Sequence, residues 1–351
     1  MSFSLTHLSE LTSARFDTII DVRAPSEFAE DHVPGAINLP VLSDAERAHV
    51  GTIYVQDNPF KARKIGAALV ARNAALHLEG PLQAFDGGWQ PLVYCWRGGQ
   101  RSGSFASILA QIGWRVETLD GGYQTYRRLV SQCLYRAPFP APIVLLDGNT
   151  GTAKTQILQH LAAMRVQVLD LEGLAHHRGS VLGGQGGQPS QKGFESRLAE
   201  RVDRLDPTRP VVVEAESSRI GRLNLPPRLF EAMKTAPRIE VIAPLAARAA
   251  YLTRAYVDLV VEPGLLAKRL ERLRGLQGHA RVDNWLALVE AGALQDLAVE
   301  LVTHHYDPRY AKTRARAGRV VARVEASDLG VADVEALARD VSDQLAMIST
   351  G

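Results

Sequence analysis

The 351-residue chain has a net charge of +2, with 46% hydrophobic and 22% charged residues. That is the make-up of an ordinary water-soluble globular protein with room for about two domains. No apolar run approaches the ~20 residues needed to span a bilayer, and the balanced charge excludes a uniformly basic nucleic-acid binder, so an RNA site has to be a local patch. Only two cysteines are present, Cys95 and Cys133; this excludes a disulfide framework and, with no basic-then-apolar leader in view, sets the cytoplasm as the expected location.

In chain order, residues 18–23 read as a short buried strand ending in charge. Ala24-Pro25 then turns the chain into a helix, because proline is preset for a first helical position. Val33-Pro34-Gly35 marks a turn and residues 36–39 the next strand. The alternation of strands and helices predicts an α/β domain, and residues 60–78 have helical spacing.

Pro91-Leu92-Val93-Tyr94 reads as a buried strand that delivers Cys95 into the loop Trp96-Arg97-Gly98-Gly99-Gln100-Arg101-Ser102. An apolar helical stretch follows at 105–112. A thiol between a strand end and a helix N-terminus faces backbone N–H groups and a dipole that favour an anion. Cys95 therefore reads as a nucleophilic thiolate able to carry sulfur or selenium. The competing reading is a buried structural cysteine; the flanking arginines and glycines favour reactivity. Leu119-Asp120-Gly121-Gly122-Tyr123 closes this half with a strand and a Gly-Gly turn.

Asp21-Val22-Arg23-x-Pro25-x-Glu27-Phe28, then His32-Val33-Pro34-Gly35-Ala36-Ile37-Asn38, the cysteine loop and the Gly-Gly turn together resemble the rhodanese-like domain. The resemblance implies a parallel sheet wrapped by helices, Cys95 at the carboxyl edge of a strand, and persulfide-type chemistry. It gives Asp21 and Arg23 a bracing role. The tryptophan directly after the cysteine departs from a generic thiosulfate sulfurtransferase.

Pro138, Pro140 and Pro142 alternate along an extended stretch, which places a boundary between a domain over 1–137 and a second over 138–351. A strand at 143–147 then leads into Gly148-Asn149-Thr150-Gly151-Thr152-Ala153-Lys154-Thr155 and a helix at 156–164. This is close to the phosphate-binding P-loop, whose backbone cradles phosphates, whose lysine reaches them and whose hydroxyl binds magnesium. Ala153 replaces the glycine before the lysine, which is harmless in a helical conformation and costly at positive φ. Residues 210–216 read as a second buried strand, ending in acid. Glu214 or Glu216 either touches a magnesium ion or its water beside the phosphates, or caps backbone locally.

His176-His177-Arg178-Gly179-Ser180 precedes a glycine-rich stretch at 183–190 that reads as a long loop. The two histidines lack further ligands at metal-binding spacing, so no resident metal is expected there. Beyond residue 245 the pattern is mostly helical and basic. Lys268, Arg269, Arg272 and Arg274 form one cluster; Arg309, Lys312, Arg314, Arg316 and Arg319 follow His304-His305-Tyr306-Asp307-Pro308. Such clusters are either solvated faces or an RNA-backbone surface. Tyr306 and Tyr310 either stack on an unpaired base or simply pack.

The order of these motifs over nearly the whole chain resembles the tRNA 2-selenouridine synthase family: the cysteine loop, the P-loop, His176-His177-Arg178-Gly179-Ser180 and His305-Tyr306-Asp307-Pro308-x-Tyr310. The expected fold is a rhodanese-like domain followed by a P-loop α/β domain with a helical, basic C-terminal part. The resemblance implies replacement of the sulfur of wobble 2-thiouridine in tRNA by selenium from selenophosphate. The route it implies passes through an S-geranyl intermediate made with geranyl diphosphate. Both would be substrates, with no tightly bound cofactor and magnesium as a candidate ion. Cys95, Arg97, Arg101 and Lys154 are the expected catalytic residues, and residues 148–155 the diphosphate cradle. His176, His177, Arg178, Lys268, Arg269, Arg272, Arg274, Tyr306, Tyr310, Lys312 and Arg314 are the candidates for tRNA contact. Two rival readings are a thiosulfate-type sulfurtransferase with an ATP-binding P-loop, and a non-catalytic RNA- or nucleotide-binding module.

Overall fold

A computed structural model describes residues 1–12, 15–178, 183, 186–257, 261–314 and 319–350; the side chains of 312–314 and 349–350 lie outside the description. The chain forms two compact units, Met1–Pro138 with Pro189–Arg204, and Phe139–Gln188 with Leu205–Gly351.

The first unit contains β1 (Ser2–Phe3), β2 (Thr18–Asp21), β3 (Ile37–Asn38), β4 (Pro91–Tyr94) and β5 (Glu117–Leu119). They form a parallel sheet in the order β1-β5-β4-β2-β3. The central β4 is buried along its whole length, as a strand covered on both faces must be, which explains its unbroken apolar run. The helix Gln100–Ile112 buries Phe105, Ala106 and Leu109 on one face, against Ile20, Val22 and Val93. It starts ahead of Ser102 and stops at Gly113, whose left-handed φ of +110° ends helices readily.

The helix Gln191–Asp203 also belongs to this first unit, a detour absent from the sequence division at 137/138. Phe194, Leu198, Ala199 and Val202 make its buried stripe. Such spacing announces a buried face without naming the surface that buries it. Here Arg127 pairs with Glu195, and Ser196 donates to Asp31 at 2.9 Å.

The second unit holds β6 (Ile143–Gly148), β7 (Gln167–Leu169), β8 (Val211–Glu214), the hairpin β9 (Arg219–Ile220) and β10 (Leu223–Asn224), β11 (Arg238–Ile242) and β12 (Val320–Glu325). Its main sheet is parallel, ordered β12-β11-β6-β8-β7. The stretch beyond 245 is thus not helical throughout: β12 returns to the sheet edge. The helix Val331–Thr350 then packs Val334, Leu337 and Val341 against Ile157, Leu158 and Leu161 of the helix Lys154–Ala163. Each fully buried aliphatic side chain there is worth roughly 1.5–3 kcal/mol, so the C-terminus anchors the helix that carries Lys154. A separate core gathers Leu266, Leu270, Val282, Trp285, Leu301 and Tyr306.

Candidate active sites

The cysteine loop is built from both sides. β4 delivers Cys95, 3% exposed, and Ser102 Oγ lies 3.2 Å from both Cys95 Sγ and Gly99 O, as donor to either. From the other side, Tyr123 N donates to Cys95 O at 2.8 Å and Gln124 N to Trp96 O at 3.0 Å. Gly122 makes that approach feasible. It has a φ of +55°, and a Cβ there would stand 2.2 Å from Cys95 O, closer than any side chain tolerates. The Gly-Gly turn and the cysteine loop are therefore one structural piece.

Asp21 and Arg23 are fully buried and paired at 2.6 Å. Arg23 also donates to Asp31 O at 2.6 Å and lies 3.9 Å from the Tyr123 ring centroid. A buried pair with these additional bonds braces the sheet edge. Arg101 donates to Glu27 Oε2 at 2.9 Å, where Arg47 also pairs. Burial opposes charge on Glu27, yet Arg101, the Ala24 amide and Arg47 hold its carboxyl below the usual range. Arg101 is thus engaged by a carboxylate, whereas Arg97 is exposed.

The P-loop leaves the carboxyl end of β6, the middle strand of the second sheet. Lys154 Nζ donates to Gly148 O at 2.7 Å, curling across the loop. Burial works against its charge, but Tyr310, Glu172, Glu216 and Asp147 together hold the ammonium above the ordinary lysine value. Ala153 takes φ +58° and ψ +23°, the left-handed conformation, which costs an L-residue with a Cβ roughly 1–2 kcal/mol. The loop therefore keeps the backbone path that glycine favours, under strain.

Thr155 Oγ1 donates to Glu172 Oε2 at 3.1 Å. Burial and the neighbouring Glu216 push the Glu172 carboxyl up to about 8, with Lys154 opposing. Glu214 is 2% exposed and accepts the Glu172 N–H at 2.8 Å; burial, then Asp170 and Glu172, raises its carboxyl well above the usual range. Of the two acids at the end of β8, Glu214 therefore faces backbone. Glu216, raised by burial and opposed by Lys154, belongs to the lysine's surroundings. Glu172, unremarked in the sequence, was signalled only by the acidic Asp170-Leu171-Glu172 after β7.

A cavity of about 430 Å³ opens over this loop. Lys154, Thr155, Glu172, Arg178 and Arg309 supply its polar lining; Tyr251, Leu252, Ala255, Tyr256, Tyr306 and Tyr310 supply a largely aromatic wall. Arg178 lies 4.7 Å from the Tyr256 ring centroid, and Lys154 5.6 Å from that of Tyr310. The structure thus brings Arg178, Tyr306 and Tyr310 to the P-loop. Tyr306 is buried and packs into the core with Trp285 and Leu301, as part of the cavity wall.

His176 ends the short helix Leu171–Ala175 at φ +49°. Burial, then Arg269, depresses the His177 imidazole. Lys268 and Arg272 are exposed and Arg269 is half-buried, while Arg274 pairs with Glu271 at 2.5 Å and Asp283 at 2.7 Å. The Lys312 and Arg314 side chains, with Gly179, Ser180 and Arg316, lie outside the described residues. No described helix is long and apolar enough to cross a membrane.

Residues 4–129 match the rhodanese-like domain family, and residues 141–277 the family described as tRNA 2-selenouridine synthase AAA domain. Three similar proteins are named tRNA 2-selenouridine synthase. That of Aeromonas salmonicida is 36% identical over 83% of this chain and 86% of its own. That of Alcanivorax borkumensis is 37% identical over 83% and 88%, and that of Verminephrobacter eiseniae 35% over 86% and 91%. With two domain matches in sequence order and relatives of this identity along most of its length, the chain belongs to the tRNA 2-selenouridine synthase family.

Proposed function

We propose that this protein is a transferase that converts wobble 2-thiouridine in tRNA to 2-selenouridine, with geranyl diphosphate and selenophosphate as co-substrates. The observation that carries this reading is a diphosphate-type cradle opening into an aromatic-walled cavity, on a chain that also holds a buried, hydrogen-bonded thiol.

The first step belongs to the P-loop cavity. The thiocarbonyl sulfur attacks C1 of the geranyl group; the C–S bond forms, the C–O bond breaks, and the electron pair leaves with diphosphate. The base loses its N3 proton, so the product is neutral. Lys154 and the loop N–H groups stabilise the charge growing on the leaving oxygen. Magnesium fits a hydroxyl-plus-carboxylate donor set: Thr155, Glu172 and Glu216 would hold it, and it would supply further neutralisation of the diphosphate.

The second step exchanges sulfur for selenium. Selenium from selenophosphate adds at C2, the geranyl thiol leaves with the electron pair of the C–S bond, the Se–P bond breaks with water taking the phosphoryl group as phosphate, and N3 regains its proton. Alkylation thus turns a poor leaving group into a competent one. Cys95 is assigned to selenium delivery, with Ser102 Oγ at 3.2 Å available to solvate a developing negative charge on sulfur. Basic residues at the cavity rim and on the helix Pro263–Glu271 contact the tRNA backbone.

The test is mass analysis of the wobble nucleoside after incubation with thiolated tRNA and each co-substrate, singly and together. Geranyl diphosphate alone gives the S-geranyl nucleoside, and both together give the seleno form. Turnover with thiosulfate and ATP, but none with these substrates, contradicts the proposal.

A further inference from the structure

The chain has four tryptophans. Trp89, Trp114 and Trp285 are buried in hydrophobic cores. Each of their indole N–H groups has an acceptor: Thr18 Oγ1 at 3.0 Å, Asp86 O at 2.6 Å and Glu300 Oε2 at 3.3 Å. Trp96 differs on both counts. It is only half-buried, and its N–H meets no acceptor among the described residues and is not sealed from solvent. It directly follows Cys95 and is the only aromatic residue between Cys95 and Ser102.

The indole is nevertheless held firmly. Tyr123 N–H donates to Cys95 O and Gln124 N–H to Trp96 O, which pins the backbone on both sides of the Trp96 α-carbon. The indole leans on the Tyr123 ring, with centroids 5.3 Å apart and planes inclined by 31°. Tyr123 is itself fixed: its hydroxyl donates to Asp31 Oδ2 at 2.6 Å, and the ion-paired Arg23 lies against its ring. A large flat side chain braced in this way, yet left partly in water, gives up little freedom when a ligand covers it.

The proposed chemistry says what that ligand is. Selenium delivered from Cys95 has to reach C2 of a pyrimidine. Consecutive α-carbons are about 3.8 Å apart, so a ring placed for that step lies within reach of the Trp96 side chain. An unpaired base splayed into a site stacks on an aromatic face, and Arg97, Gly98, Gly99 and Gln100 offer none. We infer that Trp96 is the stacking platform for the wobble base at the selenation site, with Tyr123 as its positioning residue. This rests on Cys95 being where selenium is delivered.

The test uses the full-length protein. With the other three tryptophans buried, acrylamide quenching of intrinsic fluorescence reads Trp96, and loss of the quenchable component in Trp96→Phe confirms that source. An anticodon stem-loop carrying S-geranyl-2-thiouridine at the wobble position is expected to shield Trp96 from acrylamide. A stem-loop with an abasic wobble nucleotide, and geranyl diphosphate alone, are expected to leave it open. Shielding by the abasic loop or by geranyl diphosphate means that backbone or isoprenoid covers the ring, and overturns the inference; so does binding of the base-bearing loop without shielding.

Kinetics give a second reading. In selenation of the S-geranyl stem-loop, Trp96→Ala is expected to raise KM for the RNA about tenfold or more, the worth of one stacked base, and Trp96→Phe to recover most of it. Geranyl transfer to a 2-thiouridine stem-loop should be unchanged in both, which shows that they fold. An unchanged KM in Trp96→Ala, or equal losses in the two variants, overturns the platform. Selenation by the native protein separates this inference from the reading beneath it. Shielding without any selenation upholds the platform and refutes the reaction; selenation without shielding refutes the platform alone.

Discussion

Arg248 forks onto Asp307, with Nη2–Oδ1 at 2.6 Å and Nη1–Oδ2 at 3.0 Å, and donates from Nε to Thr150 O at 2.9 Å. One guanidinium, 5% exposed, ties the P-loop backbone to the His304-His305-Tyr306-Asp307-Pro308 motif. The rigid planar fork satisfies a carboxylate and a carbonyl together, which a lysine cannot do. Arg248→Ala leaves Asp307, whose side chain is 33% exposed and so partly solvated, without its bidentate partner, and is expected to cost about 1.5–3 kcal/mol. Arg248→Lys should recover part of that stability and little of the diphosphate affinity. Denaturant unfolding with Asp307→Ala as the second arm of a double-mutant cycle checks this; additive losses would show that the pair is not coupled.

Ala153 offers a test of strain. With φ at +58°, Ala153→Gly relieves a conformation disfavoured by roughly 1 kcal/mol or more. The melting temperature should rise by about 2–4 °C, with Lys154 still placed for catalysis. A fall in melting temperature would mean that the added freedom of glycine in the unfolded chain outweighs the strain.

Gly122→Ala is expected to disable selenation selectively. Its Cβ would meet Cys95 O at 2.2 Å, so the Gly-Gly turn has to retreat and the Tyr123–Cys95 hydrogen bond is lost. Geranyl transfer, assigned to the second unit, should persist. Equal loss of both activities would mean that the substitution unfolds more than the loop.

The pH dependence of stability carries a signature of His305. Burial, then Arg309, lowers its folded-state value from 6.5 to about 4. Between those values the unfolded chain binds the proton and the folded chain does not. Stability from this group is therefore complete above pH 6.5 and is lost as pH falls toward 4. His305→Phe should flatten that part of the stability profile in chemical denaturation at stepped pH. An unchanged profile would place the acid sensitivity elsewhere.

Much of this architecture is legible in the residues. The unbroken apolar run of β4 announces a strand covered on both faces, and Gly148 to Thr155 between strand and helix announces a phosphate loop. What sequence does not carry is pairing at a distance. Arg101 beside Cys95 looks like an anion-binding cation until Glu27 is seen holding it. The spacing of Tyr306 and Tyr310 leaves stacking on a base and plain packing equally open, and only the fold places both in the cavity wall. Glu172 and Arg248 belong to no spaced motif, because their roles come from β7, β8 and the helix Leu245–Ala255 converging on the P-loop. The helix Gln191–Asp203 shows the same gap at the level of whole elements.

The division of labour between the two sites is tested most directly by mass analysis of the wobble nucleoside made by Cys95→Ala and Lys154→Ala, each given thiolated tRNA, geranyl diphosphate and selenophosphate. Cys95→Ala should accumulate S-geranyl-2-thiouridine with no selenouridine, and Lys154→Ala should return unmodified 2-thiouridine. Selenouridine from Cys95→Ala, or normal geranylation by Lys154→Ala, would contradict the assignment of chemistry to these residues.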